Sequence, residues 1–129
     1  MENLEEYINK HSANLEKRSD FTTYLYYLLD KYKIDNVTLY KKANISRQSY
    51  SLMISNKVNP SLNSLIKIIF TLKLTNHEAK YLLKKANYTL SSSSNYSLII
   101  RYFIENKIYN LKSLNDSLIR YGYRSRTIE

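Results

Sequence analysis

Arg47, Gln48, Ser51 and Ser55 are hydrogen-bonding side chains that recur zero, one, four and eight positions along RQSYSLMIS. On a helix of about 3.6 residues per turn, that spacing gathers them on one side. None is a large apolar residue. A guanidinium can donate two bonds to a guanine edge, and a glutamine amide can pair with adenine. A serine hydroxyl serves either a base edge or a phosphate. Such a set is suited to reading DNA in the major groove. Lys41, Lys42 and Lys57 flank it and suit phosphate oxygens, as do the free N–H groups of a helix beginning at Ser46. Asn36, Thr38, Ser46 and Asn56 complete the residues expected to face the nucleic acid.

The surrounding charge points the same way. The net charge is +9, and no carboxylate occurs between Asn36 and His77, where Lys41, Lys42, Arg47, Lys57, Lys67 and Lys73 all lie. From Asn36 to Ile104 the only acid is Glu78, and most others sit near the ends of the sequence. This asymmetry suggests a polyanionic partner.

Catalysis has little support. There is no cysteine, so disulfides, thiolate metal sites and cysteine nucleophiles are excluded. The two histidines, His11 and His77, are far apart, and no paired-acid, triad or metal-ligand spacing occurs. A single glycine, Gly122, leaves no glycine-rich phosphate loop. No enzyme activity, metal or cofactor is expected. No apolar run approaches a membrane span, and the acidic, polar start MENLEEYINK is unlike a signal peptide. A cytoplasmic location without membrane contact is the expectation.

The elements that must position these side chains are all helical. One glycine and one proline, Pro60, are too few turn residues for a β-rich fold. Leu4, Tyr7, Ile8, His11 and Leu15 share one helical face over residues 3–17. A second helix, capped by Ser19 or Asp20, carries Phe21, Tyr24, Leu25, Leu28 and Tyr32 and ends near Lys33. Asp35 caps a short helix over residues 36–43, with Leu39, Tyr40 and Ala43 facing inward. Asn44 turns the chain in the left-handed conformation. Ser46 then caps the helix over residues 47–54, whose core face is Tyr50, Met53 and Ile54.

Beyond Asn59-Pro60-Ser61, the residues Leu62, Leu65, Ile66, Ile69 and Leu72 mark a further helix. Thr75 and Glu78 form a T-x-x-E capping box for the next, which carries Ala79, Tyr81, Leu82 and Leu83. Residues 95–105, NYSLIIRYFIE, are apolar nearly all round, which predicts a helix buried on most sides or seated in a subunit contact. The last helix, with Leu111, Leu114, Leu118 and Tyr121 in line, is capped by Asn110 and stopped by Gly122. The tail after it is expected to be disordered. The fourteen tyrosines read as core and interface residues with a polar tip, more than as base-stacking platforms.

Two short helices joined by a three- or four-residue turn follow the helix-turn-helix plan. Through TLYKKANISRQSYSLMISNK and NPSLNSLIKIIFTLKL, residues 21–74 resemble the lambda-repressor-like, or XRE-type, helix-turn-helix family. Ile45, Ser46, Lys57, Pro60, Ser61, Leu65 and Leu72 fall on that pattern. Departures occur where the two helices should touch: Tyr40 and Tyr50 stand at positions that usually carry a small and a β-branched residue, which predicts wider spacing. Asn44 stands where glycine is common.

VTLYKKANISRQSYS, EAKYLLKKANYTLSSSS and SLIIRYFIENKIYNL extend the resemblance to small helix-turn-helix proteins of Firmicutes and their mobile elements. The resemblance implies an all-α, lambda-repressor-like bundle with an N-terminal helix and two extra C-terminal helices. The division expected is an arm (1–18), the helix-turn-helix domain (19–88), a C-terminal pair for packing or dimerisation (89–123) and a tail (124–129). The resemblance implies a transcriptional regulator that binds double-stranded DNA with residues 47–54 in the major groove, and because one such module covers little DNA, a homodimer is expected. The competing expectations are a phage or mobile-element protein-interaction module, such as an anti-CRISPR-like inhibitor, and an RNA-binding protein.

Overall fold

A computed structural model describes the backbone of residues 3–129 and the side chains of residues 3–6 and 21–129. The described residues form seven α-helices and a short 3-10 turn, with no strand among them: α1 (Leu4–Lys31), α2 (Asn36–Lys42), α3 (Arg47–Ile54), α4 (Leu62–Leu72), α5 (Asn76–Lys85), α6 (Asn95–Glu105), α7 (Leu111–Arg120) and the 3-10 turn Arg124–Arg126.

The helix starts are set by local chemistry. Each of α2 to α7 begins after a side chain that accepts from a backbone N–H three residues on: Asp35 at 2.7 Å, Ser46 at 3.0 Å and Asn110 at 3.0 Å, with Ser61, Thr75 and Ser94 doing the same. These bonds satisfy donors that the helix itself leaves open. At α5 both halves of the capping box form, Glu78 N–H to Thr75 and Thr75 N–H to Glu78.

The helix ends are equally repetitive. A residue with positive φ follows each helix: Lys33, Asn44, Asn56, Lys73, Asn87, Lys107 and Gly122. The next N–H then reaches back five residues, as in Ile34 to Leu29, Ile45 to Tyr40, Leu74 to Ile69 and Tyr123 to Leu118. This closure satisfies the last carbonyls and, except after α3 where the exposed Lys57 follows, tucks an apolar residue under the helix. With one glycine in the chain, asparagine and lysine take the left-handed positions. The expected roles of Asn44 and Gly122 are met.

The core is organised around α4. Residues 65–70 are all buried, so α4 is surrounded by its neighbours. α2 and α5 pack against it, α1 packs on α5 and α3, and α6 joins α5 to α7. The expectation of a helix apolar all round thus belongs to α4 rather than to α6. On α6, Tyr96, Ile100, Phe103 and Ile104 are buried, but Leu98 and Tyr102 face solvent.

Two further expectations are corrected. The two helices expected over residues 3–17 and from Ser19 or Asp20 to near Lys33 are one continuous helix, Leu4–Lys31. The proposed caps Ser19 and Asp20, and the apolar face of Tyr7, Ile8, His11 and Leu15, lie outside the described side chains, while Leu4 is exposed. The tail is also ordered against the helices. Ile128 is buried, and the Asn115 side chain grips its backbone on both sides, amide to Ile128 O at 2.8 Å and Ile128 N–H to the Asn115 carbonyl at 2.8 Å. Tyr96 donates to the Arg126 carbonyl at 2.9 Å while the Arg126 guanidinium lies over the Tyr96 ring, 3.9 Å from its centre. Asn115→Ala removes both backbone bonds and is expected to destabilise the fold by about 2 kcal/mol, with faster hydrogen exchange at Ile128. Unchanged protection there would show that the tail is held without Asn115.

Candidate nucleic-acid interface

α3 is anchored by its inner side and open on the other. Tyr50 and Met53 are buried, and the Ile54 carbonyl accepts from Thr22 of α1 at 2.8 Å. Arg47, Gln48, Ser51 and Ser55 occupy the opposite side and are exposed, as is Ser49. Among the described residues, these side chains are open to solvent. Ser55 spends its hydroxyl on the Leu52 carbonyl at 3.2 Å and closes the helix, so it is partly committed. Ser46 is committed too, because its side-chain oxygen receives the Ser49 N–H.

The link between α3 and α2 is a four-residue turn, Ala43 to Ser46, with Ala43 and Ile45 buried. The two tyrosines that depart from the family pattern do meet, with ring centres 5.4 Å apart and planes tilted by 43°. Their contact is the α2–α3 seam. Tyr50 also donates its hydroxyl to the Asn36 side-chain oxygen at 2.5 Å, tying α3 to the first turn of α2. Burial foremost, and then the nearby Tyr26, raises the Tyr50 phenol above its usual range, so it remains a neutral donor. Asn36 therefore positions the helix pair through its oxygen and has only its amide N–H groups to offer a ligand. Thr38 is half-buried, and its N–H is given to Asp35. The hydrogen bonds from Thr38 hold the Asp35 carboxyl below its ordinary range.

Among the expected cations, Lys41, Lys42 and Lys57 are exposed, as is Asn56. Lys41 and Lys42 close α2, where positive charge also opposes the negative end of the helix dipole. Lys57 follows α3 by two residues beyond its cap.

Lys67 does something else. It is 8 % exposed on the central helix α4, and its ammonium donates to the Asn44 carbonyl in the α2–α3 turn at 2.9 Å and to the Glu129 main-chain oxygen. Glu129 N–H is in turn received by Asn63 of α4 at 3.1 Å. Burial lowers the Lys67 pKa despite the opposing pull of Glu129. Counted by sequence among the basic residues of the acid-free stretch, Lys67 is instead an internal strut between the turn, α4 and the tail. Only an apolar run on both sides of it, SLIKIIF, hinted at burial.

No protein-family model, curated protein or solved structure matches this chain.

The α1–α5 surface carries a further cluster that the linear sequence did not bring together. Tyr24 and Tyr27 stack at 5.7 Å, Tyr24 meets Tyr81 edge-on at 4.6 Å, and His77 lies along Tyr81. The Lys85 ammonium sits over the Tyr81 ring at 4.7 Å. Most of these rings satisfy one another, so the cluster reads as the packing of α1 on α5. Beneath it, the Glu78 carboxylate is buried and accepts from Lys31 at 2.7 Å and from the Tyr32 hydroxyl at 2.5 Å. Among the described residues, no group of three or more metal-ligating side chains occurs. Nor, among the described residues, is any helix long and apolar enough to cross a membrane.

Proposed function

We propose that this protein is a DNA-binding transcriptional regulator of the helix-turn-helix kind, with α2 and α3 as the motif and α3 as the helix that enters the major groove. The observation that carries this reading is the outward side of α3. It offers Arg47, Gln48 and Ser51, all exposed, on a helix whose other side is anchored by Tyr50 and Met53. Exposed cations bracket it in the chain, and no carboxylate occurs in α2, α3 or α4. Arg47 and Gln48 supply base contacts, while Lys41, Lys42 and Lys57 hold phosphates and set the register.

The three phosphate-holding lysines set the expected salt response. Each phosphate neutralised releases counterions, so the logarithm of the association constant should fall with the logarithm of salt at a slope of about −3 for one chain. Fluorescence anisotropy on fragments selected from a random DNA pool measures both the selected sequence and this slope. Enrichment of a common site with such a slope supports the proposal. Salt-dependent binding without a preferred site points to phosphate contact alone. Absence of DNA binding, with one stoichiometric protein or RNA recovered instead, overturns it.

A single module covers too little DNA for tight specific binding, which favours a twofold dimer. The best seam is the solvent side of α6 against the end of α7, where Leu98 (40 % exposed), Tyr102 (57 %) and Tyr121 (61 %) leave apolar surface uncovered around Arg120. A charge placed there without a partner opposes association. Tyr102→Asp is expected to convert a dimer to a folded monomer in light scattering. A monomeric wild-type chain, or an unchanged mass in the variant, places the seam elsewhere.

A further inference from the structure

Away from α3, a cavity of about 400 Å³ opens between α5, the connection over residues 86–94, and α6. Its floor is apolar: Leu83 and Ile104 are 2 % exposed, Ala79 is fully buried, and Leu90 is half-buried. Its rim is cationic. Lys80 and Lys84 stand one turn apart on α5, both exposed, and Arg101 faces them from α6. No carboxylate lines the cavity among the described residues. The neutral side chains Asn76 and Thr89 add hydrogen-bonding groups at the mouth.

Three features make this arrangement unlike ordinary solvated surface. Like charges four residues apart on a helix repel, and α5 keeps such a pair at Lys80 and Lys84. Arg101 has Glu105 as its ion-pair partner, at 3.6 Å, well beyond the separation of a close charge-assisted bond. The cations therefore surround an apolar hollow with most of their bonding capacity unspent. The volume falls within the range of small-molecule sites, and an apolar lining with a few convergent polar groups is their usual make-up.

We propose that this cavity binds a small organic anion with an apolar body, its acid group held by Lys80, Lys84 and Arg101 and its body lying on Leu83, Leu90 and Ile104. The floor selects against inorganic phosphate and nucleic-acid backbone, which would satisfy the cations but leave the apolar surface wet. The rim selects against neutral lipids, which would leave three like charges facing one another. Occupancy would stitch α5 to α6, because the ligand touches both helices and the connection between them. It should raise the melting temperature in a concentration-dependent way, as binding to the folded state alone must. The site is independent of α3, so its test stands whether or not the protein binds DNA.

The probe is 8-anilinonaphthalene-1-sulfonate, an aromatic sulfonate, titrated into the full chain by fluorescence and calorimetry. The competitors are decanoate, decanol and inorganic phosphate. One equivalent of probe should bind and be displaced by decanoate, with decanol and phosphate at least tenfold weaker competitors. Lys80→Gln, Lys84→Gln and Arg101→Gln should each weaken binding by roughly tenfold, the usual worth of one charged hydrogen bond. Far-UV circular dichroism of the free variants should stay unchanged, since none of the three residues is buried, and their melting temperatures should shift only slightly, upward for Lys80→Gln and Lys84→Gln as their repulsion is relieved. Displacement by decanol as readily as by decanoate would reduce the site to a hydrophobic hollow. Binding that is absent, or indifferent to all three substitutions, overturns the proposal.

Discussion

Arg47→Ala is expected to weaken binding to the selected DNA site by about 1–3 kcal/mol per half-site, the range for one side chain that bonds two positions on a base edge. On a twofold site the loss doubles to about 2–6 kcal/mol, roughly thirtyfold to more than ten-thousandfold. The fold should be indifferent to the change. Arg47 is exposed in the first turn of α3, and Ser46, Tyr50 and Met53 hold that helix without it. The preference at one base pair should relax as affinity falls, which separates a base contact from a phosphate contact. Lys57→Ala, by contrast, should weaken all sequences alike and lower the salt slope by about one. A uniform loss with Arg47→Ala would assign Arg47 to the phosphates. No loss on the selected site would remove α3 from the interface.

The largest effect on stability should follow Glu78→Ala. Glu78 caps α5 through the Thr75 N–H and joins it to α1 through Lys31 and the Tyr32 hydroxyl, all on a carboxylate 5 % exposed. Removal leaves three donors without their acceptor, at a cost of about 3 kcal/mol or a melting temperature lower by about 10 °C. Urea unfolding measures it.

The same carboxylate makes stability depend on pH. Burial acts to raise its pKa, but the bonds from Lys31, Tyr32 and Thr75 outweigh burial and bring it from 4.5 down to about 2. The unfolded chain therefore takes up the proton first. The stabilisation is complete above about pH 4.5 and is lost as pH falls toward 2, amounting to about 3 kcal/mol across that window. Glu78→Gln should flatten the stability profile between pH 5 and 2 by this amount. Profiles that run parallel in the two proteins would show that the carboxylate is not held as the geometry implies.

The elements legible in the sequence are those whose causes lie within a few residues. Asp35, Ser46, Ser61, Thr75 and Asn110 cap helices because their own oxygens reach an N–H three residues on. Asn44 and Gly122 end helices because they tolerate positive φ. The exposure of Arg47, Gln48 and Ser51 was legible for a similar reason, since Tyr50 and Met53 on the same short helix dictate which side turns inward.

The illegible features depend on residues far apart in the chain. Nothing near Lys67 indicates that its ammonium meets the Asn44 carbonyl and the tail. Nothing near Asn115 indicates a grip on Ile128, and the exposure of Tyr102 on an apolar helix reflects only which neighbours reach α6. The cation-rimmed hollow is of the same kind, because Lys80 and Arg101 become neighbours only when α6 docks on α5.

Caps, turns and the amphipathic faces of short helices are governed by bonds within one or two turns, so the residue order alone determined them here. Which charges stay in water, which are drawn inside, and what the last residues rest upon were decided only by how the helices assembled. Desolvation and hydrogen bonding act on whatever groups packing brings together, regardless of their distance along the chain.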